Sequence, residues 1–429
     1  MNPNCKKPKY GQLNNVDRLS NLPDFIIYRI FSLLDSRQRY RTSILSKRWA
    51  RLSATTPFLE FHYYCKAKNL NPRYWPSKEA SARLLDYIDT RMQRYNKEKL
   101  RVTTLRLIFP NCNEVFGCNV EEFELSRKFE ELSCKVDEWI LIAVRNQVAR
   151  LDLYCPINYQ LPEILLSAKS LRGFAARNVK IPYYNKAISI APLQALALFE
   201  CVVEERMLNH IISSCVLLKY LSVNNCSGLK TIVIPGCSRL KGLELIESLP
   251  KNGTIILGTS NLTCFKFCDS RFYDHWPILS KLPSLLRNLR VLDIVCPGIT
   301  DENLGKRLPE FASLEILRLS HCDELKIFKI SSIQLKKIYL IDCSSLLDVT
   351  IDAQSLTKFK FKGILETNLV IAISSQPSCD ISVDITPDSL DTVGFFKSKK
   401  LMTGLGSCNI LKIALNDDAD PVFYTCKFF

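Results

Sequence analysis

The chain has 429 residues, more than the roughly 250–300 at which a single core stops growing, so it is built from several domains or from an elongated repeat. Hydrophobic residues make up 47% and charged residues 24%. That composition excludes wholesale disorder, and no apolar run approaches the roughly 20 residues of a membrane-spanning helix. The net charge is +15, but residues 1–110 hold 22 Lys and Arg against 8 Asp and Glu, while residues 111–429 are nearly neutral. A protein that tracks nucleic acid would carry a basic stripe along its main body. Here the basic quarter points instead to a local acidic partner or to solubility.

Eighteen cysteines occur without a CxxC, and the spacings of Cys112/Cys118 and Cys264/Cys268 are poor for zinc. The opening MNPNCKKPKYGQ has no apolar signal core. The thiols are therefore expected to be reduced, buried, small apolar fillers, with no metal and no cofactor. Residues 1–15 read as a flexible basic tail, in which Lys6-Lys7-Pro8-Lys9 fits a nuclear address. The expected location is nucleus, cytoplasm or both.

From Asp17 the chain reads DRLSNLPDFIIYRIFSLLDSRQRYRTSILSKRWARL. Asn21 or Leu22 is placed to cap a first helix, with Pro23 in its first turn and Asp24 where the helix dipole favours negative charge. Ile26, Ile27, Ile30, Phe31, Leu33 and Leu34 cover more than one face, so this helix has two burial partners. Ser36 is expected to cap a second helix running to about Leu45, and Ser46 or Lys47 to open a third that contains Trp49 and Leu52. Three short helices make a small core that needs help from a neighbour or partner.

These residues resemble the F-box of the large plant F-box/leucine-rich-repeat group. The likeness rests on Asp17-Arg18, Leu22-Pro23-Asp24, the Ile-rich helix, Arg41-Thr42-Ser43 and Leu45-Ser46-Lys47-Arg48-Trp49. Leu52-Ser53 stands where the family often has Leu-Trp, and Tyr40 where a small aliphatic residue is usual. The resemblance implies that Leu22, Pro23, Ile26, Ile27, Ile30, Leu33, Leu34, Leu45, Ser46, Lys47, Arg48 and Trp49 dock a Skp-type adaptor. Through that adaptor the chain would join a cullin–RING scaffold. The adaptor family is acidic, which would match the basic first quarter.

Residues 16–60 are assigned to this helical module and 61–100 to a connector. The connector is broken by Pro72 and Pro76 and then carries an amphipathic helix, SKEASARLLDYIDTRMQRYN, with Leu84, Leu85, Ile88 and Met92 at helical spacing. The mixed signs of its polar face (Glu79, Asp86, Asp89) argue against a membrane-surface or calmodulin-binding role.

From Val102 the pattern apolar-x-x-apolar-x-apolar recurs. VARLDL begins at 148, LRGFAA at 171, LQALAL at 193, LKYLSV at 218 and LKGLEL at 240. LTCFKF follows at 262, LRVLDI at 289, LEILRL at 314, LKKIYL at 335 and LTKFKF at 356. The steps run from 21 to 27 residues, and VTTLRL at 102 lies two units of 23 before 148. Cys201, Cys226, Cys322 and Cys343 share one offset within their units. This is the periodicity of leucine-rich repeats. The fold expected is α/β: a three-helix F-box followed by a right-handed horseshoe over 101–373, then degenerate terminal repeats and a tail over 374–429. A doubly wound sheet would need longer helices and a glycine-rich phosphate loop. Cys426, four residues from the end, fits a prenylation box poorly because Lys427 follows it.

Four histidines and no HExxH, GxSxG or GxGxxG motif leave no catalytic constellation. His321 beside Cys322 and His62 near Cys65 read as structural. Function is therefore expected from recognition. The side chain between the two inward positions of each strand points outward, giving the row Asp152, Ala175, Ala197, Ser222, Glu244, Lys266, Asp293, Arg318, Tyr339 and Lys360. Glu244, Lys266, Asp293, Arg318, Tyr339 and Lys360 are expected to form the target-binding patch. The expected role is a non-catalytic substrate-recognition subunit of a Skp–cullin–F-box ubiquitin ligase that binds an unknown target protein, without nucleic acid or membrane. The alternatives are a leucine-rich-repeat scaffold or ligand sensor outside ubiquitin transfer and, more weakly, a nucleic-acid binder using residues 1–110.

Overall fold

The computed structural model describes residues 19, 21–62, 78–109, 122–236, 239–250, 252–258, 261–271, 286–364, 369–374, 379–386 and 410–415. The expected basic tail, the Pro72–Pro76 stretch and the C-terminal residues around Cys426 lie outside them.

Helix α1 (Asp24–Leu33) follows Pro23, with Asp24 in its first turn. Asp35, not Ser36, caps α2 (Ser36–Arg41). The Asp35 carboxylate accepts from the Gln38 N–H at 2.7 Å, and the Gln38 side chain accepts from the Asp35 N–H at 3.1 Å. This reciprocal pair satisfies two amides that the helix leaves open. A 3-10 turn over Thr42–Ile44 follows, and Ser46 then caps α3 (Lys47–Ala54) by accepting from the Trp49 N–H at 3.2 Å. The buried core of this module is Ile27, Phe31, Trp49 and Leu52, with Leu22, Tyr28, Ile30 and Phe58 packed around it. Phe31 meets Trp49 edge-on at 5.6 Å.

The parallel sheet starts within the module assigned to 16–60. Strand Phe58–His62 pairs in register with Thr104–Ile108, because Leu59 and Phe61 alternate inward as Leu105 and Leu107 do. The two units of 23 expected between Val102 and Val148 are a single longer unit. Thr104 pairs directly with Arg150, and the intervening chain includes helix α5 (Glu122–Arg145). The same 46-residue step separates Phe58 from Thr104 and is filled by α4 (Lys78–Lys97). Ile88, Met92 and Tyr95 of α4 lie in the same core as Trp139 and Ile140 of α5. Trp139 Nε1 donates to Asp89 at 3.1 Å, and the Tyr95 hydroxyl donates to the Thr56 carbonyl at 2.6 Å. The connector helix is thus the outer layer of the first repeat.

Beyond Arg150 the ladder advances through Gly173, Ala195, Tyr220, Gly242, Cys264, Val291, Ile316, Lys337, Lys358, Asp380 and Ile410. Among the described residues these 14 strands, with the short strand Val202–Val203 that pairs beside Lys180–Ile181, make one sheet of 15 strands, all parallel. It continues past residue 373, so the terminal segments CDISVDIT and NILKIAL extend the horseshoe. Each unit sends two side chains inward, such as Leu221 and Val223 or Phe359 and Phe361, worth about 3–6 kcal/mol per unit. The outer side carries helices at Glu205–Ser214 and Asp301–Arg307. It also carries two small parallel sheets, one of Thr231–Ile234 with Thr254–Leu257 and one of Ile327–Ser331, Asp348–Asp352 and Val370–Ser374. Some return segments are strands because successive short segments such as TIVI and TIIL stack on one another.

Strands end in a recurrent turn. Glu200, Asn225, Glu247, His321 and Asp342 adopt positive φ between 45° and 53°. Their amides reach the next strand, as when the Asn225 N–H donates to the Ile246 carbonyl at 2.7 Å. The residue after each is Cys201, Cys226, Ser248, Cys322 or Cys343, all buried. Its side chain donates to carbonyls at the strand end: Cys201 to Phe199 at 3.3 Å, Ser248 to Ile246 at 2.7 Å and Cys343 to Ile341 at 3.6 Å. A neighbouring thiol and burial hold both Cys226 and Cys322 well above the ordinary thiol pKa.

A chain of alternating charges joins the module to the sheet. Arg39 of α2, 3% exposed, pairs with Glu60. Glu60 also faces Arg106 at 3.6 Å, and Arg106 pairs with Asp152 at 2.8 Å. Arg150 closes the run on Asp152 at 3.0 Å. Replacing Glu60 with Ala leaves the Arg39 guanidinium buried without its carboxylate. The expected cost is about 3–5 kcal/mol, read as a fall in the thermal unfolding midpoint. Gly228 lies at φ 89°, and a Cβ there would meet the Val203 carbonyl oxygen at 2.4 Å. Gly228→Ala is expected to cost at least about 1–3 kcal/mol, measured by the same melt.

Candidate functional site

Two surfaces carry the candidate site. The first is on the helical module. At about 3.6 residues per turn, Ile27 and Phe31 share one stripe of α1, while Phe25, Ile26 and Leu33 fall together on the opposite side. Leu33 is 74% exposed and Leu45 46%; Pro23 and Lys47 are also exposed. Leu22, Ile26, Ile30 and Leu34 are half-buried. Ser46 is occupied as the α3 cap, and Arg48 Nε donates to Asp24 at 3.1 Å.

Ile27 and Trp49 correct the expectation. They are buried, and Trp49 Nε1 donates to the Leu19 carbonyl at 3.3 Å. They support the face from behind, where they form the module's core together with Phe31 and Leu52. Sequence reading missed Phe25 and Ile44, which are 69% and 85% exposed; Tyr40, noted only as a departure from the family pattern, is 76% exposed. Ile44 lies in the 3-10 turn, where helical periodicity gives no warning. Phe25 lies two residues before the buried Ile27, and that offset was the signal available.

The second surface is the concave row. The register sets Glu60, Arg106, Asp152, Ala175, Ala197, Ser222, Glu244, Lys266, Asp293, Arg318, Tyr339 and Lys360 side by side. The expected open patch is different in kind. Glu244, Lys266 and Asp293 are buried. Lys266 Nζ meets Glu244 at 3.0 Å, and Glu244 also accepts from the Ser222 hydroxyl at 2.7 Å. Arg318 donates to Asp293 at 3.0 Å and lies over the Tyr339 ring at 4.8 Å. Lys360 pairs with Asp384 at 2.6 Å. Neighbouring strands stand about 4.8 Å apart, so opposite charges in adjacent units close on one another. Arg318, Tyr339 and Lys360 are half-buried and retain surface.

The small half of the row, which sequence reading left without a role, is a notch of about 360 Å³. Its floor includes Ala175, Ala197, Ser222 and Gly242, and its walls include Tyr154, Phe199 and Tyr220.

Among the described residues no group of three or more Cys, His, Asp or Glu is arranged to hold a metal, and no helix is long and apolar enough to cross a membrane. His321 is a positive-φ turn residue, and Cys322 donates to the Ser320 carbonyl at 3.5 Å. Burial lowers the His62 pKa.

Burial raises the Asp293 pKa although Arg318 pulls it down, and Asp293 Oδ1 has no hydrogen-bond partner. The folded chain therefore holds this proton more tightly than the unfolded chain. Ionised Asp293 opposes folding above its raised pKa, and that opposition fades as pH falls through it. Asp293→Asn is expected to leave the neutral-pH melting midpoint unchanged or higher. Arg318→Ala, which isolates the carboxylate, is expected to lower it by an amount that shrinks at acid pH.

The profile of the F-box domain matches residues 19–61, and that of the At1g61320/AtMIF1 leucine-rich-repeat domain matches residues 113–273 and 280–385. F-box/LRR-repeat protein At3g03360 of Arabidopsis thaliana is 26% identical over 62% of this chain and 50% of its own length. Putative F-box/LRR-repeat protein At3g18150 of the same plant is 27% identical over 54% of this chain and 42% of its own. The chain spans about half the length of these curated relatives. An internalin of Listeria monocytogenes superposes with a TM-score of 0.35 and 12% identity, over 83% of this chain and 100% of that one. The helical face in front, the repeat ladder behind it and the two matched profiles agree: the chain belongs to the plant F-box/leucine-rich-repeat family.

Proposed function

We propose that this protein is the substrate-recognition subunit of a Skp–cullin–F-box ubiquitin ligase, with α1–α3 gripping the Skp-type adaptor and the horseshoe holding a target protein. One observation carries the reading. The module buries its own core, yet leaves Phe25, Leu33, Tyr40 and Ile44 more than two-thirds exposed. So much large apolar surface on one small module marks a protein contact. Covering these four at about 1.5–3 kcal/mol each exceeds the low end of the association cost of about 4–15 kcal/mol. The basic charge of residues 1–110 suits an acidic adaptor by steering.

The mechanism is proximity. This chain supplies no chemistry. It raises the effective concentration of target lysines near the loaded ubiquitin carrier on the cullin–RING scaffold. A nuclear or cytosolic location accompanies this reading.

The test is binding of a purified Skp-type adaptor to the full chain. Leu33→Asp with Ile44→Asp is expected to weaken it at least 100-fold with an unchanged melting midpoint, since both side chains face solvent. Ile27→Asp is expected to unfold the module instead. Full-strength binding by the folded double variant, or no binding by the parent chain at micromolar concentration, would overturn the proposal.

A further inference from the structure

We infer that the notch on the small half of the concave face is an anchor pocket for one neutral aromatic side chain, a tryptophan or tyrosine, presented by the target protein. This deepens the proposed function and rests on it.

The notch is made by a change of residue size along the ladder. Asp152 and Glu244 flank three strands whose concave side chains at that register are Ala175, Ala197 and Ser222. In the next register the smallest residues return, at Gly173, Ala195 and Gly242, with Tyr220 between the last two. The floor is therefore lowered over several neighbouring positions of the sheet face. Tyr154, Phe199 and Tyr220 rise around it with Arg106 and Arg150 at one end. Rings at both edges, Tyr154 and Phe199 at one and Tyr220 at the other, and a methyl-lined floor favour a flat apolar body, since aromatic groups gain from stacked and edge-on neighbours.

Charge decides what kind of aromatic. Asp152 accepts from both Arg106 and Arg150, Glu60 also faces Arg106, and Glu244 is matched by Lys266. Among the charged groups that line the notch, Arg106 and Arg150 offset Asp152 and Glu244, so the lining has no net charge with which to select an anion or a cation. At the end away from Arg106 and Arg150 the notch offers the Ser222 hydroxyl and the buried Glu244 carboxylate it donates to. That pair suits a single N–H or O–H donor on the incoming ring, as indole and phenol carry.

The notch has a floor and walls but opens onto the hollow of the horseshoe. A free small molecule is usually enclosed over 70–90% of its surface. An anchor residue instead arrives on a larger body that closes the mouth, and tryptophan and tyrosine dominate such anchors. The row continues from the notch into Arg318, Tyr339 and Lys360, so a chain lying along the hollow reaches both.

The experiment uses the full purified chain with 5-fluoroindole as probe, followed by ¹⁹F line broadening, and with peptides selected from a random display library. The parent chain is expected to broaden the probe at millimolar concentration and to enrich peptides bearing a Trp or Tyr. Ala197→Phe and Ser222→Trp, two independent ways to fill the notch, are expected to weaken both effects at least tenfold while adaptor binding and melting midpoint stay unchanged. Arg318→Ala is expected to leave the probe broadening intact. Equal broadening by parent and both filled variants overturns the pocket. Tighter binding of benzoate than of indole overturns its neutrality. Probe binding at micromolar concentration that displaces the selected peptides shows a small-molecule site and overturns the side-chain anchor. Loss of adaptor binding by the parent chain would instead strike the proposed function and leave the pocket standing.

Discussion

The parallel main-chain ladder is the constraint from which the rest of this structure follows. A single strand with two inward side chains cannot satisfy its own N–H and C=O groups, nor close a core. Both are completed only by the next unit at the same register. Once Phe58–His62 lies against Thr104–Ile108, every later unit must return a strand to one edge, whatever the chain does in between. Length variation is therefore pushed outward. Two units of 46 residues and a run of units near 22 share one sheet because the surplus chain includes α4 and α5, which lie outside the sheet.

The return is made possible by the turn after the strand. Positive φ costs a residue with a side chain of order 1 kcal/mol or more, yet Glu200, Asn225, Glu247, His321 and Asp342 all accept it. The gain is an amide aimed at the neighbouring strand and a buried Cys or Ser that donates to carbonyls at the strand end. A thiol fits such a site because it is small and apolar and still donates weakly. This gives a structural reason for the cysteines that recur at this offset.

Much of this was legible in the amino-acid sequence, for a physical reason. Inward pairs such as Leu221/Val223 and the cap at Ser46 depend on residues a few positions apart, so pattern exposes them, whereas the cap of α2 sits at Asp35 rather than at the expected Ser36. What stayed hidden depends on neighbours a whole repeat away. The 46-residue spacing imitated two short repeats, and the outer strands at Thr231–Ile234 and Thr254–Leu257 gained their partners only through stacking. The charged row misled most. Glu244, Lys266, Asp293 and Arg318 read as open surface one strand at a time, but with strands side by side they neutralise each other. The notch is the complement of that error, since Ala175 and Ala197 carry no signal until their tall neighbours are placed around them.

The alternating charges from Arg39 through Glu60 and Arg106 to Asp152 weld the helical module to the first strands of the horseshoe. With that joint stiff, the distance between the two ends of the molecule is set by how many strands are stacked, in increments of one strand width. Adding or deleting a unit would move whatever rests in the hollow along an arc by a fixed step. The count of repeats thus acts as a ruler, and it decides which part of a captured cargo swings within range of machinery assembled at the other end.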